Sequence, residues 1–216
     1  MSNFTVHDGL KKPKELTLHK ALKLSYLDNN KKKKKLLTKY GYRLDEDLSN
    51  HNQTVGYNAH SKKLLMATTG THNMDDVLKT DFMLSMGNLK RTKRYNEARE
   101  TLNRANEKYS DKKNTLLTGH SLGGTITSYL PYDKNTRAFA VNSGATIGQD
   151  TRDRQGRLTN YRVKGDIISG LTAGHKFQNT LDINVPKRGK TREEQLINQG
   201  FDRHSTNALK GTKIFI

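Results

Sequence analysis

The stretch LLTGHSLGGTITSYLP, residues 116–131, sets a serine between glycines where an apolar run gives way to an amphipathic one. Gly119-His120-Ser121-Leu122-Gly123 fits G-x-S-x-G, the pattern of a nucleophile elbow. The requirement behind that pattern is steric. The serine occupies a strained backbone conformation on a tight strand-to-helix turn, and the glycines two positions to either side let strand and helix pack close. A serine hydroxyl is a poor nucleophile by itself, so the chain must also supply a base, an orienting acid and an oxyanion site. The histidines show no metal-ligand spacing and cysteine is absent, so no metal and no cofactor is implied.

A strand must lead into Ser121 and a helix must leave it. KNTLLT (113–118) has the length and composition of a strand, and TITSYL (125–130), closed by Pro131, suits a short helix. Upstream, Leu18, Ala21, Leu22, Ser25 and Tyr26 recur at helical spacing. Two β-like runs flank the turn-forming NAHS and predict a hairpin ending near Thr68. Asn73 then stands as an N-cap before an apolar stripe of Leu78, Phe82, Met86 and Leu89, and Tyr95, Ala98, Leu102, Ala105 and Tyr109 repeat the pattern. RAFAVNS, NYRVKGD, TLDINV and the terminal TKIFI read as four more strands, with the helical candidate TREEQLINQG before the last. Alternating elements of this kind predict an α/β sheet covered by helices. Over 216 residues without a convincing linker, one domain spanning 1–216 is the simplest organisation.

Composition bounds the setting. Apolar content is 32% and mean hydropathy is −0.90, yet the apolar residues cluster in short runs, as in a folded chain. No stretch approaches the about 20 apolar residues of a membrane span, and the first residues lack the apolar core of a secretory signal. With no cysteine the expectation is an intracellular, reducing location. Lysine and arginine total 39 against 21 acids, a formal charge of +18, with a basic segment over 10–43 that holds Lys31, Lys32, Lys33, Lys34 and Lys35. Such a surface attracts polyanions, either an anionic membrane or nucleic acid, although no nucleic-acid-binding motif accompanies it. A solvated lysine loop is the plainer reading of the same run.

Several blocks together resemble the class 3, fungal-type lipases of the α/β-hydrolase fold. VGYNAHSKKLLMATTGTHNMDDVLKTDF looks like the family's strand that ends in Arg-Gly-Ser/Thr, with Thr69, Gly70 and Thr71 at the matching positions. GHSLGG is the family's elbow in its commonest form. NYRVKGDIIS looks like its strand ending in Gly-Asp, and FDRHSTNAL like its late histidine segment. The blocks keep the family's order over about residues 54–208. Thr69 departs from the usual arginine, and NSGATIG lacks the proline that commonly follows the corresponding strand.

The resemblance implies a compact α/β hydrolase with a mostly parallel sheet and at most a short lid, which would lie at about residues 72–90. It implies a serine carboxylic-ester hydrolase acting on lipid esters, as a triacylglycerol lipase or phospholipase, with Ser121, Asp166 and His204 as nucleophile, acid and base. The oxyanion donors would be the backbone N–H of Leu122 and that of Thr71, with its hydroxyl. Asp150, Asp153 and Asp182 compete for the acid role, and His175 and His120 for the base. The other class of function open to this sequence is a basic, non-catalytic relative that keeps the fold and binds nucleic acid or anionic membrane.

Overall fold

A computed structural model of the chain describes residues 14–71, 88–144, 156–166, 180–184, 206–210 and 212–216. Two short helices come first, α1 (Leu18–Ser25) and α2 (Asn30–Thr38), followed by strands β1 (Arg43–Asp45), β2 (Gln53–Asn58) and β3 (Lys63–Thr68). A 3-10 turn (Leu89–Arg91) precedes the long helix α3 (Lys93–Lys108). Strand β4 (Asn114–His120) then runs straight into helix α4 (Leu122–Tyr129). Strands β5 (Thr136–Val141), β6 (Leu158–Val163) and β7 (Thr180–Ile183) follow, with a last 3-10 turn at Thr206–Leu209.

The seven strands form one sheet in sequence order, with β1, β2 and β3 antiparallel neighbours and β3 to β7 parallel. Strand alternation explains the layering. On β3, Leu64 and Met66 join Ala98, Leu102 and Ile126 on the face covered by α3 and α4, whereas Leu65 and Ala67 join Ala21, Leu24 and Leu37 on the face covered by α1 and α2. A strand buried on both faces reads as a continuous apolar run, which is what KLLMAT is. Parallel order brings the C-terminal ends of β3 to β6 to one edge, where ligands bind in open α/β sheets.

Three expectations need correction. TKIFI is no sheet strand: it makes one bridge, Phe215 with Thr17, and pairs with residues before α1 through Leu18 N–H to Ile214 O and Ile216 N–H to Leu16 O. Its alternating Ile214 and Ile216 instead pack on apolar clusters beside α1. The lysine run is helical, because Asn29 caps α2 through its side-chain oxygen to the Lys31 N–H (2.7 Å), and Lys33 is buried with its Nζ donating to Asn50 O. A lid cannot extend to residue 90, since Leu89 is wholly buried in the core. Residues 72–87, with the Asn73 cap and Leu78, Phe82 and Met86, lie outside the described residues, as does TREEQLINQG.

Candidate functional site

Ser121 links β4 to α4 with φ 55° and ψ −127°, a positive φ that a side chain adopts only where the surroundings hold it. Two backbone bonds do so, Ser121 N–H to Val141 O and Thr125 N–H to Ser121 O, both 2.9 Å. The flanking glycines are needed for contact rather than for dihedral freedom. A methyl on Gly123 would meet the carbonyl oxygen of Thr69 at 2.6 Å, and one on Gly119 would meet Thr127 Oγ1 at 2.6 Å. Leu122 opens α4, so its N–H has no partner within the helix and the helix dipole adds to its donor strength.

Register puts the next loop against this turn. Thr68 of β3 lies opposite Gly119 of β4, so Thr69, Gly70 and Thr71 pass beside Ser121. A methyl on Gly70 would stand 3.1 Å from the Ser121 Cβ. The loop is tied down at nearly every backbone group. Thr69 N–H donates to Asn52 O (2.8 Å), and Gly70 N–H donates to Tyr26 Oη (3.0 Å). The carbonyls of Thr69 and Gly70 both accept from the guanidinium of Arg94, on the first turn of α3. Thr69 itself is fully buried, with its hydroxyl donating to Ser25 O at 2.8 Å.

Tyr26 and Arg94 carry perturbed titrations. Burial pushes the Tyr26 phenol up to about 12, against the opposing pull of the Gly70 N–H and the Arg94 charge. It is therefore a neutral hydroxyl that accepts from Gly70 and hydrogen-bonds His120 Nδ1 at 2.8 Å. Burial draws Arg94 below its ordinary value, but a guanidinium starts so high that it stays a cation. His120, a competing base, is buried beside the serine and engaged through Nδ1 with Tyr26. The sequence marked Tyr26 only as part of a helical stripe and did not mark Arg94, and neither stood out as a site residue. The one signal was the missing arginine at Thr69, which asks what else holds the loop.

Asp166 follows the tight turn after β6, with Gly165 at φ 85° and Asp166 N–H donating to Val163 O at 2.9 Å. It is buried, at the same sheet edge as Ser121. The segment after β5 joins the two: Thr125 Oγ1 donates to Gly144 O, Asn142 Oδ1 accepts from Val163 N–H, and Ser143 Oγ donates to Asn160 Oδ1. Asp182, a competing acid, forms a two-point ion pair with Arg162 across β6 and β7 (2.7 and 2.8 Å), on the exposed sheet edge. Asp150, Asp153, His175 and His204 lie outside the described residues. The chain after His204 enters the turn Thr206–Leu209, and Leu209 is buried with Leu18, Leu22, Val141 and Val163. Among the described residues no group of histidines and carboxylates could hold a metal ion.

No family model matches the sequence, and no curated protein does. Solved structures do match. The Lip2 lipase of Yarrowia lipolytica superposes with a TM-score of 0.55 at 14% identity, over 87% of this chain and 89% of that one. The triacylglyceride lipase of Rhizomucor miehei gives 0.51 at 12% identity over 78% of both chains. A triacylglycerol lipase whose catalytic centre is a serine protease triad gives 0.50 at 12% identity, also over 78% of both. This chain has the α/β-hydrolase fold of the fungal-type lipases.

Proposed function

We propose that the protein is a serine carboxylic-ester hydrolase acting on lipid esters. The observation that carries this reading is the backbone of Ser121, held at positive φ between a strand and a helix, with Gly70 of the neighbouring loop against it. Such strain persists where the surroundings enforce it, and it raises the hydroxyl above the turn for attack. The similarity of fold to lipases adds lipid esters as the substrate class.

In the proposed reaction His204 takes the Ser121 proton as the oxygen attacks the ester carbonyl, then returns it to the departing alcohol. Asp166 holds the imidazole in the required tautomer and stabilises the imidazolium; its rival Asp182 is engaged by Arg162. The oxyanion is received by the N–H groups of Leu122 and Thr71, and water then hydrolyses the acyl-enzyme. The positive surface draws the enzyme to an anionic lipid interface.

The deciding experiment treats the protein with a fluorophosphonate and maps the adduct, beside hydrolysis of p-nitrophenyl esters, triglycerides and phospholipids by wild type and Ser121→Ala. Labelling of Ser121 and loss of every activity in the variant are expected. An unlabelled, inactive wild type that binds nucleic acid would replace this reading with a basic binding protein.

A further inference from the structure

The loop beside Ser121 lacks the arginine that its resemblance leads one to expect, and Thr69 turns its side chain away to Ser25 O. A cation nevertheless reaches the loop from another element. Arg94, 25 residues on, donates through Nη2 to the Thr69 carbonyl and through Nη1 and Nη2 to the Gly70 carbonyl, each of the latter at 3.4 Å.

The consequence lies in one peptide plane. The Gly70 carbonyl and the Thr71 N–H belong to the same trans peptide unit and point in opposite directions. Whatever fixes the carbonyl fixes the direction of the N–H. A positive charge at the oxygen end also polarises the unit, so that its N–H becomes a stronger donor in a site of low dielectric. The guanidinium suits this task because its planar fork can engage two carbonyls at once, which a lysine ammonium does poorly.

We infer that Arg94 is the positioning residue of the oxyanion loop: from α3 it clamps the Thr69 and Gly70 carbonyls and thereby aims and strengthens the Thr71 N–H. The inference rests on the ester-hydrolase reading for its kinetic consequence, and on the loop's hydrogen bonds alone for its structural one. Tyr26 completes the clamp from the opposite side by accepting the Gly70 N–H.

The test compares wild type, Arg94→Met, Arg94→Lys and Arg94→Ala on a soluble p-nitrophenyl ester, with amide hydrogen exchange followed at Thr69 and Gly70. In Arg94→Met, kcat falls by about tenfold to a hundredfold, up to the lower end of what losing one oxyanion donor outright costs, while KM stays within about twofold. Exchange at Thr69 and Gly70 quickens, whereas β3 from Leu64 to Ala67 keeps its protection. In Arg94→Ala, added methylguanidinium restores part of kcat. Where Arg94→Met does not fold, Arg94→Lys carries the test, with a reduced kcat expected in a folded protein. Wild-type kcat in either folded variant overturns the inference. If the wild type itself neither hydrolyses esters nor reacts with the fluorophosphonate, the functional reading fails by itself. The clamp is then judged by exchange, and unchanged Thr69 and Gly70 amides in Arg94→Met overturn it.

Discussion

At the scale of single residues, the proposed catalytic set makes separable claims. Ser121→Ala and His204→Ala each remove nearly all turnover, and the double variant is scarcely worse, because groups that act as a unit do not contribute additively. Steady-state kinetics on the three variants checks this, and additive losses contradict it. Asp166→Asn folds but loses about three to four orders of magnitude in kcat, since the imidazole loses its orienting anion. Near-normal activity would pass the acid role to a carboxylate other than Asp166. Tyr26 gives a pH prediction. Its folded value near 12 lies above the ordinary 10, so the stability it contributes is complete below pH 10 and is lost as pH rises from 10 to 12. Denaturant titrations of Tyr26→Phe across that window show a shallower alkaline fall than wild type. Ser121 was legible because its pattern is local, five residues with a steric rationale. Tyr26 and Arg94 were not, because they meet Gly70 from 44 and 24 residues away and only the fold brings them there.

At the scale of elements, the turn from β4 to α4 depends on close backbone approach, and this too is testable. Gly123→Ala places a methyl on the carbonyl carbon and oxygen of Thr69, both at 2.6 Å, in a backbone that Arg94 and Asn52 already hold. Flexible side chains could move aside; these atoms cannot. A loss of about 1–3 kcal/mol is expected from such overpacking, read as a lower denaturation midpoint, together with a fall in esterase activity. An alanine variant of wild-type stability would mean that strand and helix stand further apart than described. Helices α1 and α3 were legible from their helical burial period, and α4 and the hairpin of β2 and β3 from short apolar runs bounded by turn residues, since these elements are buried almost throughout. Strand β1 was not, being three residues whose pairing with β2 is decided by tertiary contact. TKIFI misled for the converse reason: alternation specifies two faces, but not whether the partner is a sheet or the lead-in to a helix.

At the scale of the whole molecule, the formal charge of +18 favours contact with polyanions, and the helical form of the lysine run changes which lysines could make it. Lys33 is internal, Lys32 pairs with Asp28 and Lys34 with Glu46, while Lys31, Lys35 and Lys39 stand exposed one helical turn apart. That stripe, which takes Lys31 and Lys35 from the run and adds Lys39 beyond it, is the face we propose for an anionic lipid surface. Each such residue is worth about 1 kcal/mol at a membrane, over a Debye length of about 8 Å at physiological salt. The triple variant Lys31→Gln, Lys35→Gln, Lys39→Gln therefore binds phosphatidylserine-containing vesicles more weakly and with a smaller salt dependence, measured by sedimentation across a salt titration. Its hydrolysis of a soluble ester is unchanged, because these lysines lie outside every segment proposed for catalysis. Lys33→Gln separates structure from surface: the Lys33 ammonium bonds the Asn50 carbonyl beneath the helix, so this variant loses stability and leaves the exposed stripe intact. Equal vesicle binding by wild type and triple variant at every salt concentration would remove the stripe from the membrane. A loss confined to nucleic acid would assign it to that partner instead.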